Sequence, residues 1–70
     1  MKRSITLSGH RTSVSLEAPF WDALRNIALR ENTTPTKLIA RIDAARQPDD
    51  NLSSAIRVYI LNYFQDRVPH

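Results

Sequence analysis

Cysteine is absent from this 70-residue chain, which excludes disulfide staples and thiolate metal sites and fits a reducing compartment. Histidine is nearly absent: His10 and His70 stand at opposite ends, so neither a structural metal nor a cofactor is expected. Glycine occurs once, at Gly9, which leaves a single residue that takes left-handed backbone without cost. No apolar run approaches the ~20 residues of a transmembrane helix, so no membrane association is expected. The start of the chain also lacks the apolar segment of a signal peptide, and a cytoplasmic protein is the expectation. A chain this short buries only about 60% of the surface its unfolded form exposes, so its core is marginal. With disulfides and metal excluded, oligomerisation is the remedy left.

What is present begins with charge. The net charge is +3 and the pI about 10.0, and the excess sits at one end. Lys2, Arg3 and Arg11 precede the first acid, Glu17, whereas residues 17–70 carry seven basic and seven acidic side chains. A basic arm over residues 1–9 that leads into a polar stretch points to a polyanionic partner.

That stretch is Arg11 to Leu16, the core of a strand expected over about residues 10–16. Alternation puts Thr12, Val14 and Leu16 on one face and Arg11, Ser13 and Ser15 on the other. A lone strand leaves its backbone donors and acceptors unpaired, so the expected partner is the same strand from a second copy. Met1 to Leu7 alternates too, with Ile5 and Leu7 apolar, but in the opposite phase. Either Gly9 marks a bulge or turn that resets the phase, or the arm is frayed.

Three helices come next. The first is expected over about 18–31: Pro19 suits its first turn, Phe20, Leu24 and Ile27 form a stripe flanked by Trp21 and Ala28, and Asn32 suits the left-handed residue that ends a helix. Thr34 as N-cap and Pro35 as first residue start a second helix, about 35–46, whose buried face is Leu38, Ile39, Ile42 and Ala45. Its first turn has hydroxyls and Lys37 and no acid, which suits an outside anion, although an ordinary capped helix has the same appearance. The third, about 51–66, is capped by Asp50 or Asn51 and carries Leu52, Ile56, Tyr59, Ile60, Tyr63 and Phe64 in a wide stripe. Ala55 and Val58 extend that stripe so far around the helix that burial at a subunit interface is expected.

The residues Gly9-His10-Arg11-Thr12-Ser13-Val14-Ser15-Leu16-Glu17, Phe20-Trp21-Asp22-Ala23-Leu24 and Asn51-Leu52-Ser53-Ser54-Ala55-Ile56-Arg57, in this order of elements, resemble the ribbon-helix-helix family of Arc- and methionine-repressor-type DNA-binding proteins. The likeness is specifically to short bacterial members with an extra C-terminal helix. It implies a mainly α single domain over residues 1–70, with one N-terminal strand that pairs with its dimer mate into a ribbon in the DNA major groove.

Carried over, the resemblance makes Arg11, Ser13 and Ser15 base-contacting residues. Thr33, Thr34, Thr36 and Lys37 become the phosphate clamp at the second helix, and Lys2 and Arg3 add phosphate contacts. An alternative clamp is Ser53, Ser54 and Arg57, if the helix from Asn51 is the family's second helix. Val14, Leu16, Ile56, Tyr59, Ile60 and Tyr63 are the expected dimer core.

The function expected is a sequence-specific transcriptional regulator, a repressor in the first instance, binding double-stranded DNA as a homodimer; stacking of dimers on DNA is left open. The competing reading is a protein-interaction module of the same fold, like the antitoxins that bind a toxin, with a patch around Trp21 or Tyr63. An enzyme is not expected: Ser8, Ser13 and Ser15 near His10 lack an orienting third group, and Asp49-Asp50-Asn51 is too short for a calcium loop.

Overall fold

The computed structural model describes residues 1–67. Its elements are β1 (Lys2–Leu7), β2 (His10–Ser15), α1 (Ala18–Arg30), α2 (Pro35–Ala45) and α3 (Leu52–Arg67). The expected strand and three helices are all there, with ends displaced by a residue or two. His70, not expected to serve as a metal ligand, lies outside the described residues.

The expected strand is β2, and of the two alternatives for the residues before it the structure takes the turn at Gly9, so a second strand, β1, stands over the basic residues 2–7. β1 and β2 form an antiparallel hairpin within one chain, pairing Lys2 with Ser15, Ser4 with Ser13 and Thr6 with Arg11. The reason is the turn. Ser8 (φ +50°) and Gly9 (φ +82°) both take positive φ, the signature of a two-residue type I′ turn, whose twist matches that of the strands it joins. A two-residue turn pairs odd positions with even ones, so the two opposite phases meet on one face. Leu7 and Val14 are buried and Ile5 and Thr12 half-buried on that face.

Helix boundaries obey the local signals. Glu17 stands at the N-cap of α1 without a side-chain cap bond, and Pro19 falls in the first turn. Asn32 (φ +54°) ends α1, with Thr33 N–H donating to Ala28 O at 2.9 Å and Asn32 N–H to Leu29 O at 3.3 Å. These are the paired bonds of a Schellman motif, with asparagine where glycine is usual. Thr34 Oγ1 caps α2 by accepting from Lys37 N–H at 3.2 Å, and Asn51 Oδ1 caps α3 by accepting from Ser54 N–H at 3.2 Å. Arg46 holds the intervening loop, donating to Asp43 Oδ1 and to Asp50 O, each at 2.7 Å.

α2 lies against β1 and α3 against β2. The core joins Val14 and Leu16 of the ribbon side to Trp21, Leu24 and Ile27 of α1, Leu38, Ile39 and Ile42 of α2, and Ile56, Ile60 and Tyr63 of α3. Ala45, expected on the buried face of α2, is exposed at the helix end. Of the residues expected to form a dimer core, Val14, Leu16, Ile56, Ile60 and Tyr63 are buried within the single chain and Tyr59 is half-buried. Their burial therefore needs no second copy. The apolar surface left over on α3 is instead Val58 and Leu61, each 54% exposed. Trp21 and Tyr63 are core residues, which removes both as the centre of a partner patch.

Candidate nucleic-acid interface

Because paired residues in an antiparallel ladder share a face, Lys2, Ser4, Thr6, Arg11, Ser13 and Ser15 form one outward surface. All six are exposed. The surface carries a cation at each end, four hydroxyls between, no acid and no large apolar group, and its opposite side is pinned to the core by Leu7 and Val14. Hydroxyls serve as donor or acceptor, and a guanidinium presents a planar fork of donors. The arrangement suits recognition of a polar, anionic surface by hydrogen bonding.

The six include the three positions expected to meet bases, Arg11, Ser13 and Ser15, and Lys2. Ser4 and Thr6 join them only because β1 is a strand, so an account built on a lone strand missed them. Arg3 is placed elsewhere: it pairs with Val14 and its guanidinium stacks over Trp21, 5.0 Å from the ring centroid. Trp21 Nε1–H in turn donates to Met1 O at 3.1 Å. Arg3 thus anchors the start of β1 to α1 and stands off the polar face.

The two candidate clamps differ. At α2, Thr33 is half-buried and Thr34, Thr36 and Lys37 are exposed. Pro35 has no N–H, Lys37 N–H goes to the Thr34 hydroxyl and Leu38 N–H to Thr34 O. That leaves Thr36 N–H, the Thr36 hydroxyl and the Lys37 ammonium without a partner among the described residues, and the helix dipole adds partial positive charge there.

At α3 the first turn is already engaged. Ser53 Oγ accepts from Ser15 N–H at 3.1 Å, and the Arg57 guanidinium donates to Ser15 O at 3.2 Å and to the Glu17 carboxylate at 3.0 Å. Of the alternative clamp residues, Ser54 alone is exposed, and its N–H is used by the Asn51 cap.

Glu17 has its carboxyl held below the usual range, first by a hydrogen bond from its own backbone amide and then by Arg57. It is ionised at neutral pH and cancels the charge of Arg57 rather than that of the ribbon face. Among the described residues no group of three His, Cys, Asp or Glu stands together to hold a metal, and no helix is long and apolar enough to cross a membrane.

Residues 1–64 match the family described as "Ribbon-helix-helix domain". No curated protein matches the chain, and no solved structure does.

Proposed function

This chain belongs to the ribbon-helix-helix family, and on that premise we propose that it is a sequence-specific DNA-binding transcriptional regulator, a repressor, which acts as a homodimer by laying its ribbon in the major groove. The observation that supports this best is the ribbon's outward face: six exposed polar side chains, two of them cations, with no acid among the first sixteen residues. The major groove admits a two-stranded ribbon and presents a distinct donor and acceptor pattern for each base pair. Arg11 takes the bidentate guanine contact, and Ser13 and Ser15 serve donors or acceptors on either base.

Phosphate contacts fall to Lys2 and to the start of α2, where Thr36 and Lys37 offer donors and charge with no competing partner among the described residues. Arg3, held on Trp21, contributes to the field of the N-terminal end without a contact of its own. With one arginine and two serines on each β2, base readout is modest, so affinity leans on phosphates and specificity on Arg11.

The test is a shift assay on DNA selected from a random pool, run at two salt concentrations. Binding is expected to weaken with a log-log slope of about −0.9 per phosphate contact. Absence of binding to any DNA at low salt contradicts the proposal.

A further inference from the structure

Among the described residues, Ser15 is the one member of the polar face whose backbone is held from outside the ribbon. Leu16 N–H donates to Met1 O at 3.0 Å and the Met1 ammonium to Leu16 O at 2.8 Å. Such doubly bonded pairs alternate along an antiparallel ladder, so Ser15 turns its N–H and C=O away from β1. α3 meets both: Ser53 Oγ accepts from the N–H at 3.1 Å, and Arg57 Nη2 donates to the C=O at 3.2 Å. The same guanidinium forks onto the Glu17 carboxylate, Nε to Oε1 at 3.0 Å and Nη2 to Oε2 at 3.4 Å, and lies over Phe20, 5.8 Å from the ring centroid. Arg57 thus fixes the end of β2 to the N-cap and the first turn of α1 at once. At the other end of β2, no helix side chain among the described residues bonds to the backbone of Arg11 or Ser13, and the Ser8-Gly9 turn beyond them is exposed.

This anchoring matters unequally along the face. A hydrogen bond to a base edge needs a donor–acceptor distance of about 2.7–3.2 Å and a near-linear angle. The serine hydroxyl sits on Cβ and cannot follow a backbone that shifts, whereas the arginine fork rides on a stem of several rotatable bonds. Readout through Ser15 therefore depends on where the strand end lies, and readout through Arg11 far less. The strand stays in the fold without the two α3 side chains, because Val14 and Leu16 are buried and the ladder to β1 is intact. What Ser53 and Arg57 add is direction.

We propose that Ser53 and Arg57 are specificity-determining positioning residues: without touching DNA, they hold Ser15 at the height and angle at which its hydroxyl meets a base edge. The inference rests on the regulator reading and names what sets the precision of that same face. It gives α3, which contributes no side chain to the outward surface, a part in the choice of sequence. It also separates Arg57 from a phosphate clamp, since its donors are spent on Ser15 and Glu17 and its charge is cancelled there.

The test is a profile of base preference at each position of a site selected from a random DNA pool, measured at one salt concentration for the parent and for single variants. Ser15→Ala and Arg11→Ala identify the base pairs that each residue reads. Arg57→Met and Ser53→Ala are expected to lower the preference at the Ser15 base pairs by about fivefold or more, the low end of what a mismatched pair costs. At the Arg11 base pairs both are expected to stay within about twofold of the parent, as independent sites do. Ser53→Thr keeps the hydroxyl and is expected to retain the parent profile. Arg57→Lys keeps a donor for Ser15 O without the fork on Glu17, and is expected to fall between parent and Arg57→Met; it keeps the test decisive if Arg57→Met folds poorly. Ile27→Val, which trims the core of α1 and alters neither bond, is expected to leave both preferences unchanged.

Parallel loss at the Ser15 and Arg11 base pairs overturns the positioning role and leaves a structural one. Equal weakening on all sequences, with the salt slope reduced by about 1, makes Arg57 a phosphate contact and overturns it too. A Ser15→Ala profile identical to the parent's overturns it as well, since nothing is then positioned. Binding by the parent with any of these results ends this inference alone, whereas absence of DNA binding by the parent ends the regulator reading. The anchor is then read by amide exchange: Ser53→Ala is expected to speed exchange at Ser15 several-fold and to leave Val14 unchanged, and equal rates at Ser15 remove the anchor.

Discussion

α2 and α3 begin on the same local chemistry. Thr34 Oγ1 accepts from Lys37 N–H and Asn51 Oδ1 from Ser54 N–H, each at 3.2 Å, and neither first turn contains an acid. The side chains just past the cap separate the two helices. In α3 Ser53 and Arg57 are spent on Ser15 and Glu17, so this helix start ties the ribbon to the core. In α2 Thr36, which stands at the position of Ser53, and Lys37 beside it have exposed side chains that are unengaged among the described residues. Two helix N-termini with equal intrinsic attraction for an anion thus have unequal capacity to receive one, and tertiary contacts make the difference.

Variants can break or sharpen that contrast. The largest effect is expected from Ser53→Ala with Arg57→Met, which removes four hydrogen bonds joining α3 to β2 and Glu17, two of them the Arg57–Glu17 ion pair. The Glu17 end of the link is fully exposed, so the loss is carried by the bonds of Ser53 and Arg57 to Ser15 and is read as a lowered midpoint of denaturant unfolding. A loss no larger than that of a random surface change means the clamp is not structural.

Next come the caps themselves. Thr34→Ala and Asn51→Ala are each expected to cost about 1 kcal/mol of stability, and only Thr34→Ala to weaken DNA binding beyond what the stability loss explains. Equal weakening by both contradicts the division of labour between the two helices. Smallest in stability is Lys37→Ala, expected within about 0.5 kcal/mol of the parent. It is nevertheless expected to weaken binding to all DNA sequences alike and to reduce the salt slope by about 1.

The same contrast shows what the sequence made legible. Thr34-Pro35, Asn32 and Asn51 act through bonds to residues three to five positions away, and each did what its type predicts. The polar face of β2 was readable because period-two alternation needs no knowledge of the partner. The hairpin was legible only as one of two alternatives: the opposite phases pointed to a reset at Gly9 or to a frayed arm, and a turn with both Ser8 and Gly9 at positive φ turns the phase mismatch into a match. A serine at the first of those positions gives little warning, since asparagine, aspartate or glycine are the usual residues there.

The links from Ser53 to Ser15 and from Arg57 to Glu17 span 38 and 40 residues, and no local pattern announces them. Arg3 shows the same limit. Its charge was visible, but its place over Trp21 depends on which face of a strand it occupies.

The central claim is that the outward face of the ribbon reads DNA sequence through Arg11. It is tested most directly by the ratio of affinities for a selected site and a scrambled one, measured at one fixed salt concentration for the parent and for Arg11→Ala. Loss of a bidentate arginine contact to guanine is worth about 1–3 kcal/mol of discrimination, so the ratio is expected to fall roughly tenfold or more while the fold and dimer persist. An unchanged ratio, with both affinities reduced in parallel, contradicts the claim and makes Arg11 one more phosphate contact.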